Sequence, residues 1–310
     1  MAIHHVVVKN ALAVGVALML VSGIGVAGAE EVADAQCGRW AASPVASGFG
    51  VLENLAFDGH GGLLLSEVPA SGSGGALHRL GADGSREVLA QASSPGGIVV
   101  SGDTAYFTTG GSLSSGLSGR ADGTIEALDL ARGTVSTVVS GLTAPNGLAQ
   151  LPDGSFVVSR DLGSPTTLTR VDGNGSGAKP FATELTSTNG IAYSAARRKL
   201  FVSTTFDPTT TLAAIDLDRP DAAPGRITLP GYGPLNAADD LSVGPDGDIY
   251  LALNAAGRIV RIDPDTAAVC VIADGLPFAT SARFGAGPGW DPRALYVTGF
   301  TGAVTRLTQP

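Results

Sequence analysis

Thiols, imidazoles and basic side chains are all scarce in this chain of 310 residues, which has two cysteines, four histidines and 19 Lys+Arg against 28 Asp+Glu. The shortage of positive charge, a net −9, excludes the basic surface that a nucleic-acid partner demands and disfavours an anionic membrane surface. Cys37 and Cys270 are too few and too far apart to build a metal site by themselves. In an oxidising compartment they can pair across a large loop; the alternative is two buried small apolar side chains. No Gly-x-Ser-x-Gly elbow is present, and only His60 and His78 lie beyond the N-terminal segment, so nothing supports a Ser–His–Asp hydrolase. Both histidines read as surface-turn residues. The Gly-rich stretches Ser71 to Gly75 and Gly110 to Gly119 open no helix after a strand, so they read as loops and not phosphate cradles.

Long apolar runs are also missing, with one exception. His4, His5 and Lys9 precede an uncharged stretch from Ala11 to Ala29 that ends in Ala27-Gly28-Ala29. A weakly positive start, an apolar run and a small-x-small site describe a signal peptide, residues 1–29, cleaved near Ala29 to release a secreted or periplasmic protein. A retained membrane anchor is the alternative, because the run is about long enough to span a bilayer. No lipobox precedes Cys37 (Ala33-Asp34-Ala35-Gln36), which argues against a lipoprotein. Residues 30–310 then form a single domain, expected to be monomeric and free of the membrane.

What the chain has in abundance is glycine, 44 residues, and short β-branched runs between turn signals. Gly62 to Leu65, Phe156 to Ser159, Lys199 to Val202 and Asp248 to Leu251 read as strands, with Asp58-Gly59, Asp122-Gly123, Asp153-Gly154 and Asp246-Gly247 as turns. The pattern is all-β, and it repeats. A small residue, an apolar residue, a polar residue and then Leu or Ile recur so that Glu53, Gly96, Asn146, Asn189, Asp239 and Thr280 occupy one equivalent position, 41 to 50 residues apart. Periods of that length with several strands each describe the blades of a six-bladed β-propeller. The last repeat is short and a strand from Arg39 to Ala46 precedes the first, so the N-terminal strand is expected to complete the last blade and remove an open edge.

Innermost strands surround a propeller's axis, so equivalent positions converge there. Glu53, Asn146, Asn189 and Asp239 then form a ring of oxygen donors suited to one hard divalent cation, calcium, manganese or magnesium, and less to zinc. The competing reading is four polar residues that start inner strands around a water-filled channel. Pocket walls are expected from Arg160-Asp161, Phe206-Asp207, Tyr232 and Asn254, each of which also reads as an ordinary loop residue. Asp240 reads as a solvated loop residue, a supporting role beside Asp239 being the alternative.

The runs Leu52-Glu53-Asn54-Leu55-Ala56-Phe57-Asp58, Ala144-Pro145-Asn146-Gly147-Leu148-Ala149, Thr188-Asn189-Gly190-Ile191-Ala192-Tyr193 and Ala238-Asp239-Asp240-Leu241, with Gly257 to Pro264, resemble the senescence marker protein / gluconolactonase family. The resemblance implies a six-bladed propeller with a catalytic divalent metal that hydrolyses lactones. It further implies that Glu53, Asn146, Asn189 and Asp239 are the metal ligands and that Asp239 is also the general base. The chain departs from that family in three places: Ala144 replaces a substrate-binding Arg, Glu53-Asn54-Leu55 replaces Glu-Gly-Pro, and Asp240 follows Asp239 where Gly is usual. A sugar lactone is therefore less secure as substrate than a lactone in general. A non-catalytic propeller that binds a sugar or protein, and a strictosidine-synthase-like or lyase-like propeller, are the competing functions.

Overall fold

The computed structural model describes residues 37–68 and 74–310. The expected signal peptide lies outside the described residues, as does part of the Gly-rich stretch from Ser71. Six four-stranded antiparallel sheets follow one another, five of them meanders in chain order and the sixth completed by the N-terminal strand, which is the propeller expected from the repeat. The inner strands are Val51–Phe57, Ile98–Ser101, Leu148–Gln150, Thr188–Ser194, Ala238–Val243 and Ala279–Phe284, for blades one to six. Each touches the inner strand of the next blade, and the sixth returns to the first. The ring is closed.

Closure uses the expected strand. Ala41–Ala46 pairs antiparallel with Val304–Thr308 as the outermost strand of blade six, with Ala41 opposite Thr308 and Ala46 opposite Val304. Cys37 and Cys270 are disulfide-bonded, Cα atoms 6.0 Å apart, and link this strand's approach to the outer strand of blade five, Val269–Ala273. The Trp40 amide donates to Ile272 O at 2.8 Å and Arg39 pairs with Asp274 at 2.8 Å along the same seam.

Several second strands are buried residue after residue, among them Phe156–Val158 and Ile249–Leu253, because each blade packs both faces against its neighbours. Six hydrophobic clusters result, one per seam. Leu52, Leu55 and Leu63 of blade one meet Trp290 and Tyr296 of blade six. Phe156 and Val158 of blade three meet Ile125 of blade two. Trp40 and Tyr250 anchor the seam between blades five and six, where Phe284 packs edge-on against both.

Two readings are corrected. Within Gly110 to Gly119 a short helix forms, Leu113–Ser118, because Ser112 caps its N-terminus by accepting from the Ser115 amide and Gly119 closes it at φ 68°. His78 is not on a turn: it lies in the strand Ala76–Gly81 with Nε2 2.5 Å from Glu67 Oε2, both side chains largely buried. His60 does sit in an exposed turn, 3.1 Å from Asp103.

Candidate active site at the propeller axis

The six equivalent positions stand at or just before the start of the inner strands, and a recurring hydroxyl explains how they are held. In each of blades one to four the second strand carries a Ser or Thr that donates to the backbone carbonyl of the ring residue in the next blade. Ser66 reaches Gly96 O at 2.5 Å, Thr108 reaches Asn146 O at 2.7 Å, and Ser203 reaches Asp239 O at 2.7 Å; Ser159 bonds Asn189 O. The same oxygens accept from their own blade: Gly147 N donates to Ser159 and Gly190 N to Ser203, both at 2.8 Å. The sequence carries these hydroxyls as a Ser or Thr 12 to 14 residues after each of the first four ring positions.

The Asn-Gly pairs have a steric cause. A Cβ at Gly147 would lie 2.4 Å from Asn189 O, and one at Gly190 would lie 2.6 Å from Asp239 O and from Asp240 Cα. Any side chain there would push the next ring residue away.

Around the axis the acidic groups crowd. Burial, then the charges of Asp161 and Asp240, push Glu53 up to about 7. Asp239 is raised well above the usual carboxylate range by burial and by the charges of Glu53, Asp240 and Asp161. Asn254 Nδ2 donates to Asp239 Oδ2 at 3.3 Å and opposes that shift. Asp161 rises to about 6 through burial, against a hydrogen bond from the Asn146 side chain. Glu53, Asp239 and Asp161 are thus electrostatically coupled, and Asn146 adjoins them through Asp161.

Asn189 completes the set. Its Nδ2 donates to Thr205 Oγ1 at 2.9 Å, while that hydroxyl gives its own proton to Ala238 O at 2.7 Å. The amide is thereby oriented, and its Oδ1 is buried with no hydrogen-bond partner. A buried acceptor without a donor, on a ring of equivalent positions that also carries two mutually repelling carboxylates, fits a cation. Among the described residues no three of His, Cys, Asp and Glu form a metal-holding group.

Asp240 is not solvated. It is 3% exposed, and its Oδ2 accepts from Asn54 Nδ2 at 2.8 Å, Ser281 Oγ at 2.5 Å and Arg283 Nη2 at 3.2 Å. It bridges blades one, five and six just behind the ring. Thr280, the sixth ring position, turns its hydroxyl to Leu52 O at 2.8 Å.

Of the expected pocket residues, Asn254 touches Asp239 directly. Arg160 has its guanidinium engaged by carbonyls, Leu162 O at 2.8 Å and Gly116 O at 3.2 Å, and desolvation lowers its pKa. Phe206 and Tyr232 project into solvent, 46% and 57% exposed.

No curated protein matches the chain significantly in sequence. Among solved structures, a gluconolactonase from Xanthomonas campestris superposes with TM-score 0.67 at 19% identity, covering 88% of this chain and 91% of that one. A PQQ-bound aldose sugar dehydrogenase from Streptomyces coelicolor gives 0.63 at 16%, covering 87% and 98%. Virginiamycin B lyase from Staphylococcus aureus gives 0.57 at 10%, covering 88% and 99%. Likeness at these identities establishes the propeller and no activity. The sequence itself decides the family: residues 73–301 match the model of the SMP-30/gluconolactonase/LRE-like region, and the chain belongs to that family.

Proposed function

We propose that the protein is an exported, cation-dependent hydrolase that opens a lactone or related cyclic ester. The observation that carries this reading is the buried, unpartnered Asn189 Oδ1 on the same ring as the coupled Glu53 and Asp239 carboxylates. Glu53, Asn146, Asn189 and Asp239 would hold a divalent ion of the calcium, manganese or magnesium kind. When bound, such an ion supplies the positive charge that polarises a carbonyl oxygen and acidifies water.

The remaining work falls to the chain. Asp239 takes the proton of the attacking water, with Asn254 holding its Oδ2 in place. Asn189 is locked by Thr205, so its oxygen needs no reorientation on binding. Asp161 orients Asn146 by accepting a hydrogen bond from its side chain. Export is supported by the Cys37–Cys270 bond, which persists where thiols are oxidised.

The test is hydrolysis of a lactone panel by purified protein before and after chelation, with manganese, calcium and zinc added back. Asp239→Asn is expected to lower turnover about a hundredfold or more while still binding manganese in calorimetry. Absence of chelator-sensitive turnover on every lactone would return the chain to the reading of a non-catalytic binding module.

A further inference from the structure

The exposed apolar side chains of this propeller are unevenly placed about its axis. Inner strands start at the site, so second strands return to it. Two sets of connections therefore surround the mouth: those entering each inner strand, and those joining strands two and three. These connections carry exposed Leu113 (53%), Leu117 (68%), Phe206 (46%), Tyr232 (57%), Leu235 (70%) and Phe278 (45%). Among the described residues the other exposed large apolar side chains are Val45, Val88 and Val135, and all three lie on outermost strands, far from the axis.

Chain position ties this rim to the ring. Phe206 follows Thr205, which orients Asn189. Leu235 lies in the short helix Gly233–Asn236 that leads to Asp239, and Phe278 lies two residues before Thr280. On the Asn146 side, the helix Leu113–Ser118 rests on Leu162 and Ala144: a Cβ on Gly116 would be 3.0 Å and 3.6 Å from their Cβ atoms. Ala144 offers no polar group there, and the guanidinium of Arg160 is turned to the carbonyls of Leu162 and Gly116.

A polyhydroxylated ring is selected by side chains that hydrogen-bond its hydroxyls, and discrimination is lost without them. The connections around the mouth carry six exposed apolar side chains instead, and exposed apolar surface at a binding face marks a place where something apolar is buried. Resting on the hydrolase reading, we propose that the substrate is a lactone or cyclic ester bearing an alkyl or aryl substituent. Its carbonyl end faces the ring, and its apolar part lies against Leu117, Phe206, Leu235 and Phe278. The reaction is redox-neutral. The ring acyl C–O bond breaks, water's hydroxyl joins the acyl carbon and its proton passes through Asp239 to the released alkoxide oxygen.

The experiment compares kcat/KM of the manganese-loaded protein on γ-butyrolactone, γ-lactones of increasing alkyl length, an aryl lactone and glucono-δ-lactone. The expected result is a rise of about two- to fourfold per added methylene over the first few carbons. That increment should shrink in Phe206→Ser and Leu235→Ser and persist in the outer-strand control Val88→Ser. A flat alkyl series with glucono-δ-lactone preferred overturns the substrate class and leaves the hydrolase standing. A flat series in which Phe206→Ser abolishes binding to phosphatidylcholine vesicles overturns it in favour of a membrane-facing rim. Inactivity on every lactone overturns both this inference and the hydrolase.

Discussion

The two halves of the ring are built differently. Through blades two, three and four the residue after each ring position is glycine: Gly97, Gly147 and Gly190. There the next blade's backbone comes so close that a methyl group would overlap it, and hydroxyls from the second strands fix the spacing. Through blades five, six and one the same position carries Asp240, Ser281 and Asn54, and these side chains fill the gap with a buried polar network joined by Arg283. One half is positioned by contact between backbones. The other is positioned by a charge with three donors. The second half must span from Asp239 to Glu53 across blade six, which contributes only Thr280 to the ring, so side chains have to bridge what backbone contact does not.

Breaking the polar half should have the largest effect. Asp240→Ala leaves Arg283, Asn54 and Ser281 facing an empty acceptor site in a largely buried place. A loss of about 3–5 kcal/mol in urea denaturation is expected, with Asp240→Asn recovering much of it. Gly190→Ala probes the other half. The clash with Asp239 O and Asp240 Cα should cost about 1–3 kcal/mol and weaken manganese binding measured by calorimetry. If Gly190→Ala proves milder on cation binding than Gly225→Ala, whose nearest neighbour is 3.8 Å away, close backbone approach does not set the ring. Ser203→Ala removes one hydroxyl that serves two blades, and about 1–3 kcal/mol is expected from the unsatisfied Gly190 N and Asp239 O.

The smallest effect at any single pH is the most specific. Glu53 titrates near 7 in the folded protein against 4.5 for its ordinary value. Its contribution to stability is therefore complete below about pH 4.5 and is lost as pH rises towards 7. In chelator, Glu53→Gln should gain stability relative to the parent across that window and level off above it. Denaturation at a series of pH values measures the difference. A parallel pair of curves would mean that Glu53 is not held in the crowded environment described.

How much of this was legible follows from the distance over which each feature acts. The repeat shows in one dimension because every blade needs the same turn chemistry, and the ring residues show because they recur at one phase of it. The Asn-Gly pairs were visible, though their cause lies in the neighbouring blade. Asp240 was misread because an Asp-Asp pair after Gly233, Pro234 and Asn236 reads as a wet loop. Its partners Asn54 and Arg283 are 186 and 43 residues away in sequence and meet it only when the ring closes. The helix Leu113–Ser118 was hidden by its Ser and Gly content, which favours coil until the caps and the packing against Leu162 and Ala144 are in place. Which way the Arg160 guanidinium turns was not legible, because it depends on the carbonyl of Gly116, supplied by another blade.

The bond between Cys37 and Cys270 spans 233 positions of the chain and so encloses five of the blades in a covalent circle. A protease that nicks any connection inside that circle produces two fragments that remain tethered and can re-zip. Among the described residues, only the stretch after Cys270, which supplies the inner three strands of blade six, hangs outside as a free tail. New termini introduced between the two cysteines should therefore be tolerated far better than a cut within that tail.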